Sequence, residues 1–232
     1  MKAPAPTRPW WLGVVWRTLF VAAGLAAWFW TQGLIGSRRV GETHPTAAPA
    51  IGDGVHDLLS AANRYMAEHP AAANTLLICS SAVIDLVGVF LLAASIFGPS
   101  VRPFLGLLLL FAMRQICQLI CSLPPPAGMI WRYPGVPSLL VTYDVATDFF
   151  FSGHTGLAVI GAVELSRLGG RRWLCVGTLI ILFEVATVLI LRAHYTMDVF
   201  TGAVAARYAT ILAARLAPAC DAWLTRMPGG LA

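Results

Sequence analysis

Asp148-Phe-Phe-Phe-Ser152-Gly153-His154-Thr155-Gly156 and Arg192-Ala-His194-Tyr195-Thr196-Met197-Asp198-Val199 are the two stretches from which the rest of this chain can be placed. Each holds a histidine beside small or acidic neighbours, and each opens an apolar run. Between the two histidines lie about two apolar segments of membrane-crossing length, split by the charged break Arg167 to Arg172. A chain that leaves one membrane face at His154 is back on that face by His194. Both imidazoles therefore belong on the same side of a bilayer. In-line transfer of a phosphoryl group needs that placement, with one imidazole attacking and the other managing the leaving oxygen.

The composition agrees with a membrane setting. Of 232 residues, 58% are hydrophobic and only 12% charged, and the mean hydropathy is +0.73, too apolar for a soluble surface. At roughly 20 residues per crossing there is room for about six helices in one all-α bundle. The five cysteines, Cys79, Cys117, Cys121, Cys175 and Cys220, fall mostly inside apolar runs with neither zinc spacing nor a disulfide framework. The net charge of +5 is carried by arginines scattered at segment ends, since Lys2 is the only lysine. That pattern speaks for membrane orientation and against nucleic acid.

Working outward, the first crossing runs from about Trp10 to Ile35, with Trp10, Trp11, Trp28 and Trp30 at its ends as an interfacial aromatic belt. The run is too long and tryptophan-rich for a cleaved signal. A polar stretch follows, in which Leu58, Leu59, Ala62, Tyr65 and Met66 recur at helical spacing, predicting a short interfacial helix. Crossings two and three cover about Ala72 to Phe97 and Val101 to Leu123, stopped by Gly98-Pro99 and by Pro124-Pro125-Pro126. A Pro- and Gly-rich lid then leads to crossing four, about Phe149 to Leu168, crossing five, about Trp173 to Leu191, and crossing six, about Tyr195 to Leu216. These limits divide the chain into 1–36 (cytoplasmic N-terminus and first crossing), 37–71 (a non-cytoplasmic loop), 72–217 (a five-helix catalytic core) and 218–232 (a cytoplasmic tail). One face collects Lys2, Arg8, Arg102, Arg167, Arg171, Arg172, Arg215 and Arg226. By the positive-inside rule both termini are cytoplasmic, and the histidines face the lumenal or extracytoplasmic side.

His194 and Asp198 are four apart at an expected helix start, where a carboxylate can fix one ring nitrogen and leave the other as nucleophile. A helix-end ion pair is the plain alternative. Ser152-Gly153 before His154 sets a hydroxyl and a small residue at a helix entrance, which favours a phosphate but equally suits an ordinary N-cap. Arg114, inside an apolar run, either reaches toward this face to hold a phosphate or pairs with Asp85. Glu164 and Glu184 are expected to be structurally paired. Arg132 and Arg192 stand near the reacting face and could neutralise phosphate oxygens, with interfacial anchoring as the alternative for Arg192. Trp131, Tyr133, Tyr143 and Tyr195 could box a quaternary ammonium or serve as interfacial aromatics.

The fragments Ser152-Gly-His154-Thr155 and His194-Tyr-Thr-Met-Asp198 resemble the last two motifs of the sphingomyelin synthase-like lipid phosphotransferases, relatives of the type 2 phosphatidic acid phosphatases. Asp148, six before His154, falls where those synthases carry an acid, and Arg114-Gln-Ile116 through Leu123-Pro124-Pro-Pro126 is similar to their R-x-I-x6-L-P-x-P segment. The early Pro-Leu-Pro-Asp element is met only by Pro49-Ala-Ile-Gly-Asp53, and the arginine that the phosphatase branch carries six before its second histidine is Val188 here. The resemblance implies a six-transmembrane-helix bundle of the type 2 phosphatidic acid phosphatase-like kind. It implies an enzyme that moves phosphocholine from phosphatidylcholine to a lipid alcohol, ceramide or diacylglycerol, through a phosphohistidine. His154, His194 and Asp198 would be catalytic. Asp148, Ser152, Gly153, Arg114, Arg132, Arg192 and Tyr195 would contact substrate. The expected partners are a phospholipid donor, a lipid alcohol acceptor and the bilayer, with no metal or cofactor and with oligomeric state open. Hydrolysis with water as acceptor, or lipid binding without chemistry, are the competing functions.

Overall fold

A computed structural model describes residues 10–36, 51–121, 123–141, 143 and 150–227. Asp148, one of the expected substrate contacts, and Pro49 lie outside them. The regular structure among the described residues is helical: α1 (Trp10–Gly36), α2 (Gly54–Leu58), α3 (Ser60–Glu68), α4 (Pro70–Phe97), α5 (Arg102–Ile120), α6 (Gly153–Ser166), α7 (Arg171–Ile190) and α8 (Thr196–Arg226). Five of these, α1, α4, α5, α7 and α8, are long and apolar enough to cross a membrane, which makes this a multi-pass membrane protein.

The sixth expected crossing, α6, has only 14 residues, or roughly 21 Å at 1.5 Å per residue, against a hydrocarbon thickness of about 30 Å. It starts at Gly153 rather than near Phe149. A short helix is tolerated here because α6 packs along its length against α4, α5, α7 and α8, so much of its surface meets protein instead of lipid. Two other limits also shift. Helix α5 stops at Ile120, before the proline run. Helix α8 continues past Leu216 and through Pro218 to Arg226, because its last turns are packed in place: Ala217 and Leu224 join Val101 and Leu105 in one apolar cluster, and Asp221 Oδ1 accepts the Val101 N–H at 3.0 Å.

The ionisable groups within apolar runs have structural partners. Glu164 takes two hydrogen bonds from Arg102, at 2.5 and 3.2 Å, with Arg167 3.6 Å away. Asp85 accepts from Ser138 Oγ and from the N–H groups of Leu139 and Leu140. It thus caps the lid segment and is not the partner of Arg114. Glu184, fully buried, accepts from Ser80 Oγ at 2.6 Å. It has no cationic partner among the described residues, unlike the pairing expected for it.

Helices α6 and α7 approach closely because Gly177 lacks a side chain: a Cβ there would lie 2.8 Å from the backbone Cα of Ala162. Small residues at such crossings let membrane helices gain packing that lipid cannot supply. Gly177→Val should therefore destabilise the fold by about 1–3 kcal/mol, read as a lower thermal midpoint in detergent. Gly33→Val, where a Cβ meets nothing within 4 Å, should leave the midpoint near that of the parent.

Candidate active site

The two histidine-bearing entrances are laced together. At the start of α6, Ser152 is fully buried as N-cap, its Oγ accepting from the Thr155 N–H at 3.2 Å and from the Thr155 hydroxyl at 3.0 Å. Its own N–H donates to the Asp198 carbonyl at 3.1 Å. Gly202, one turn further along α8, permits this contact, since a Cβ there would sit 2.6 Å from the Ser152 carbonyl oxygen.

At the start of α8, the Asp198 carboxylate accepts the Tyr195 N–H at 3.0 Å. The same oxygen lies 3.4 Å from His194 Nδ1. His194 is not on the helix, as the four-residue spacing suggested, but in the connection just before the N-cap Tyr195. The contact with Asp198 is made all the same, because the carboxylate reaches back over the first turn. Both side chains are buried, His194 at 6% and Asp198 at 2% exposure.

A clamp from outside the core holds this connection. His56 Nε2 is 3.0 Å from the His194 carbonyl oxygen. Arg192, with a positive φ of 52°, donates to the Ala127 carbonyl at 2.7 Å and the His56 carbonyl at 3.0 Å. Asn63 Nδ2 donates to the Gly128 and Ile190 carbonyls. Asp53 caps α2 through the N–H groups of Val55 and His56. It also accepts the Thr196 N–H and hydroxyl, each at 2.7 Å. Burial alone would raise the Asp53 carboxyl, but the donors from Thr196 and His56 outweigh it and hold the carboxyl below its ordinary value.

His154 and His194 both line the same open-mouthed cavity, together with Arg114, Gly153 and Trp131. Arg114 is buried and donates from Nε to the Phe151 carbonyl at 3.1 Å, which holds its guanidinium against the α6 entrance. The Trp131 ring meets the His154 ring edge-on, with centroids 5.1 Å apart. The Nε2 of His154 is buried with no hydrogen-bond partner among the described residues.

The expected substrate contacts divide. Arg114 and Gly153 reach the cavity, and Ser152 stands directly behind it. Arg132 is exposed and bonded to Asn74 Oδ1 at 2.9 Å, Arg192 ties loops, and the Tyr195 hydroxyl donates to the Pro124 carbonyl at 3.1 Å; none of the three lines the cavity. Tyr143 stands behind Trp131, rings 5.3 Å apart. Trp28, read as an interfacial anchor, instead faces inward at 8% exposure and lines the cavity with Gln32. His56 and Asn63 carried no motif. Asp53 did, as the end of the degenerate early element.

Five apolar helices of crossing length, with two imidazoles and a buried arginine lining one cavity, define a multi-pass membrane protein. The family model described as AtPDCT1/2 matches residues 54–215. The match covers more than half of the chain, from the first residue of α2 into α8, and the chain belongs to that family, which is phosphatidylcholine:diacylglycerol cholinephosphotransferase-like. No curated protein matches the chain.

Because Asp53 joins α2 to the start of α8, Asp53→Ala should loosen the His194 connection, by about 0.5–2 kcal/mol for the lost cap alone. Faster amide exchange across 53–58 and 194–198 would show it. With a depressed folded-state value, the carboxylate contributes its full stabilisation above its ordinary pKa of 3.8 and loses it as pH falls through the lower folded value. Protection of these amides relative to their intrinsic exchange rates should therefore stay high in the parent at pH 5 and fall only in stronger acid.

Proposed function

We propose that this chain transfers phosphocholine from phosphatidylcholine to diacylglycerol through a phosphohistidine at His194. The observation that carries the reading is that His154, His194 and Arg114 converge on one cavity while Asp198 backs His194. The family supports diacylglycerol over ceramide as acceptor. The mostly apolar lining, with Phe111, Leu157 and Ile84 beside Trp28 and Trp131, supports a lipid alcohol over water.

In the first half-reaction His194 Nε2 attacks phosphorus while Asp198 holds the proton on Nδ1. The bond from phosphorus to the glycerol oxygen breaks, and protonated His154 gives its proton to that oxygen, releasing diacylglycerol. In the second, an incoming diacylglycerol hydroxyl attacks phosphorus and passes its proton to His154, and the P–N bond breaks to restore His194. Arg114 offsets the phosphate charge in both. The bond made is of the same kind as the bond broken, so direction follows the composition of the two lipid pools. The architecture fits the six-helix type 2 phosphatidic acid phosphatase-like bundle, with α6 as its short member, and the arginine distribution supports an extracytoplasmic or lumenal site with cytoplasmic termini.

The test supplies purified protein in detergent with choline-labelled phosphatidylcholine and glycerol-labelled diacylglycerol, followed by mass spectrometry. Phosphatidylcholine carrying both labels is expected. His154→Ala should lower the rate by about 10²–10⁴-fold, and His194→Ala should abolish the product. Free phosphocholine as the only product would make the protein a hydrolase, and a choline lipid formed only with ceramide would reassign the acceptor.

A further inference from the structure

Helix α1 lies outside the residues that the family model matches, yet it supplies one wall of the cavity. Trp28 and Gln32, four apart and so on one helix face, both line it. The indole Nε1 of Trp28 is a buried donor and the Oε1 of Gln32 a buried acceptor, and neither has a hydrogen-bond partner among the described residues. Buried polar atoms are ordinarily paired, so a donor and an acceptor left together beside a cavity point to a ligand that pairs with both.

Their positions are braced from α5. Gln115 Nε2 donates to the Trp28 carbonyl at 3.3 Å, and Thr31 Oγ1 donates to Gln115 Oε1 at 3.0 Å. The Trp28 ring stacks on Phe111 with centroids 4.0 Å apart. A shallow apolar recess lies between α1 and α5, walled by Leu25 and Leu108 among others, and it shares Trp28 and Phe111 with the cavity.

We infer that α1 forms the binding subsite of the diacylglycerol, an inference that rests on the transferase reading above. Before it reacts, the free glycerol hydroxyl donates to Gln32 Oε1, turning to His154 only as it attacks phosphorus; the Trp28 indole N–H donates to an ester carbonyl oxygen, and an acyl chain lies along the apolar seam between α1 and α5. Phosphatidylcholine has ester carbonyls and chains but no hydroxyl donor, so Gln32 is the group that distinguishes the acceptor from the donor lipid. The diacylglycerol released in the first half-reaction leaves from the same place.

Two measurements on the full-length protein test this. In the first, Gln32→Leu should raise the KM for diacylglycerol about 10-fold, the value of one lost hydrogen bond, while the KM for phosphatidylcholine and kcat stay within about twofold. An unchanged diacylglycerol KM in Gln32→Leu, or both lipid KM values moving together, overturns the inference. In the second, a photoactivatable diacylglycerol should label peptides spanning 24–32 and 104–111 in the parent protein; label elsewhere, or none, overturns it. If the parent shows no transfer at all, the transferase reading fails and the labelling alone decides whether α1 binds this lipid.

Discussion

The contact on which the site depends is the hydrogen bond from the Ser152 N–H to the Asp198 carbonyl, made where α6 meets α8 at Gly202. It joins two helix entrances that are far apart in sequence, and so sets the relative placement of the histidines that each entrance carries. Its members have other tasks as well. Ser152 caps α6 through Thr155, and the Asp198 carboxylate caps α8 while facing His194. In surroundings of low polarity such shared bonds are stronger than in water and costly to break singly, so the placement of the two histidines and the helix starts are one construction.

Around this junction the polar groups are sorted by depth. At the far end of α6, Glu164 is joined to Arg102 and Arg167, which anchors α5 to α6 away from the chemistry. On the near side, Asp85 gathers the lid segment by its backbone N–H groups, and the α2–α3 segment grips the His194 connection through His56, Asn63 and Asp53. Among the described residues Arg114 is therefore the guanidinium that lines the cavity, and its bond to the Phe151 carbonyl keeps it beside the entrance of α6.

Much of this was legible in the sequence. Apolar runs and their Gly and Pro stops placed the long helices, because a crossing of fixed length leaves a plain signature. Paired motifs at two helix starts placed the histidines. What could not be read was set by tertiary contacts. Trp28 has the composition of an interfacial anchor, and only the packing of α1 on Phe111 turns it inward. Arg192 and Arg132 are arginines near the right face, but loop carbonyls and Asn74 occupy them. Crossing six is expected to end near Leu216, and only the surface on which Ala217 and Leu224 pack carries α8 on to Arg226. The choice of Arg114 between Asp85 and the cavity turned on where the lid chain runs, which no local pattern encodes.

The brevity of α6 bears on the level at which the proposed reaction would take place. Counted from its charged end at Ser166 and Arg167, a rod of roughly 21 Å stops several ångströms short of the opposite edge of a hydrocarbon layer about 30 Å deep, and His154 is its second residue. With that end at one edge of the layer, the imidazole would stand at the height of a lipid's glycerol and ester groups, beneath its head group. For the transfer proposed above, a lipid would then not be lifted toward water. It would slide sideways in its own leaflet and let its phosphate sink, so that access would become a matter of lateral diffusion and membrane thickness.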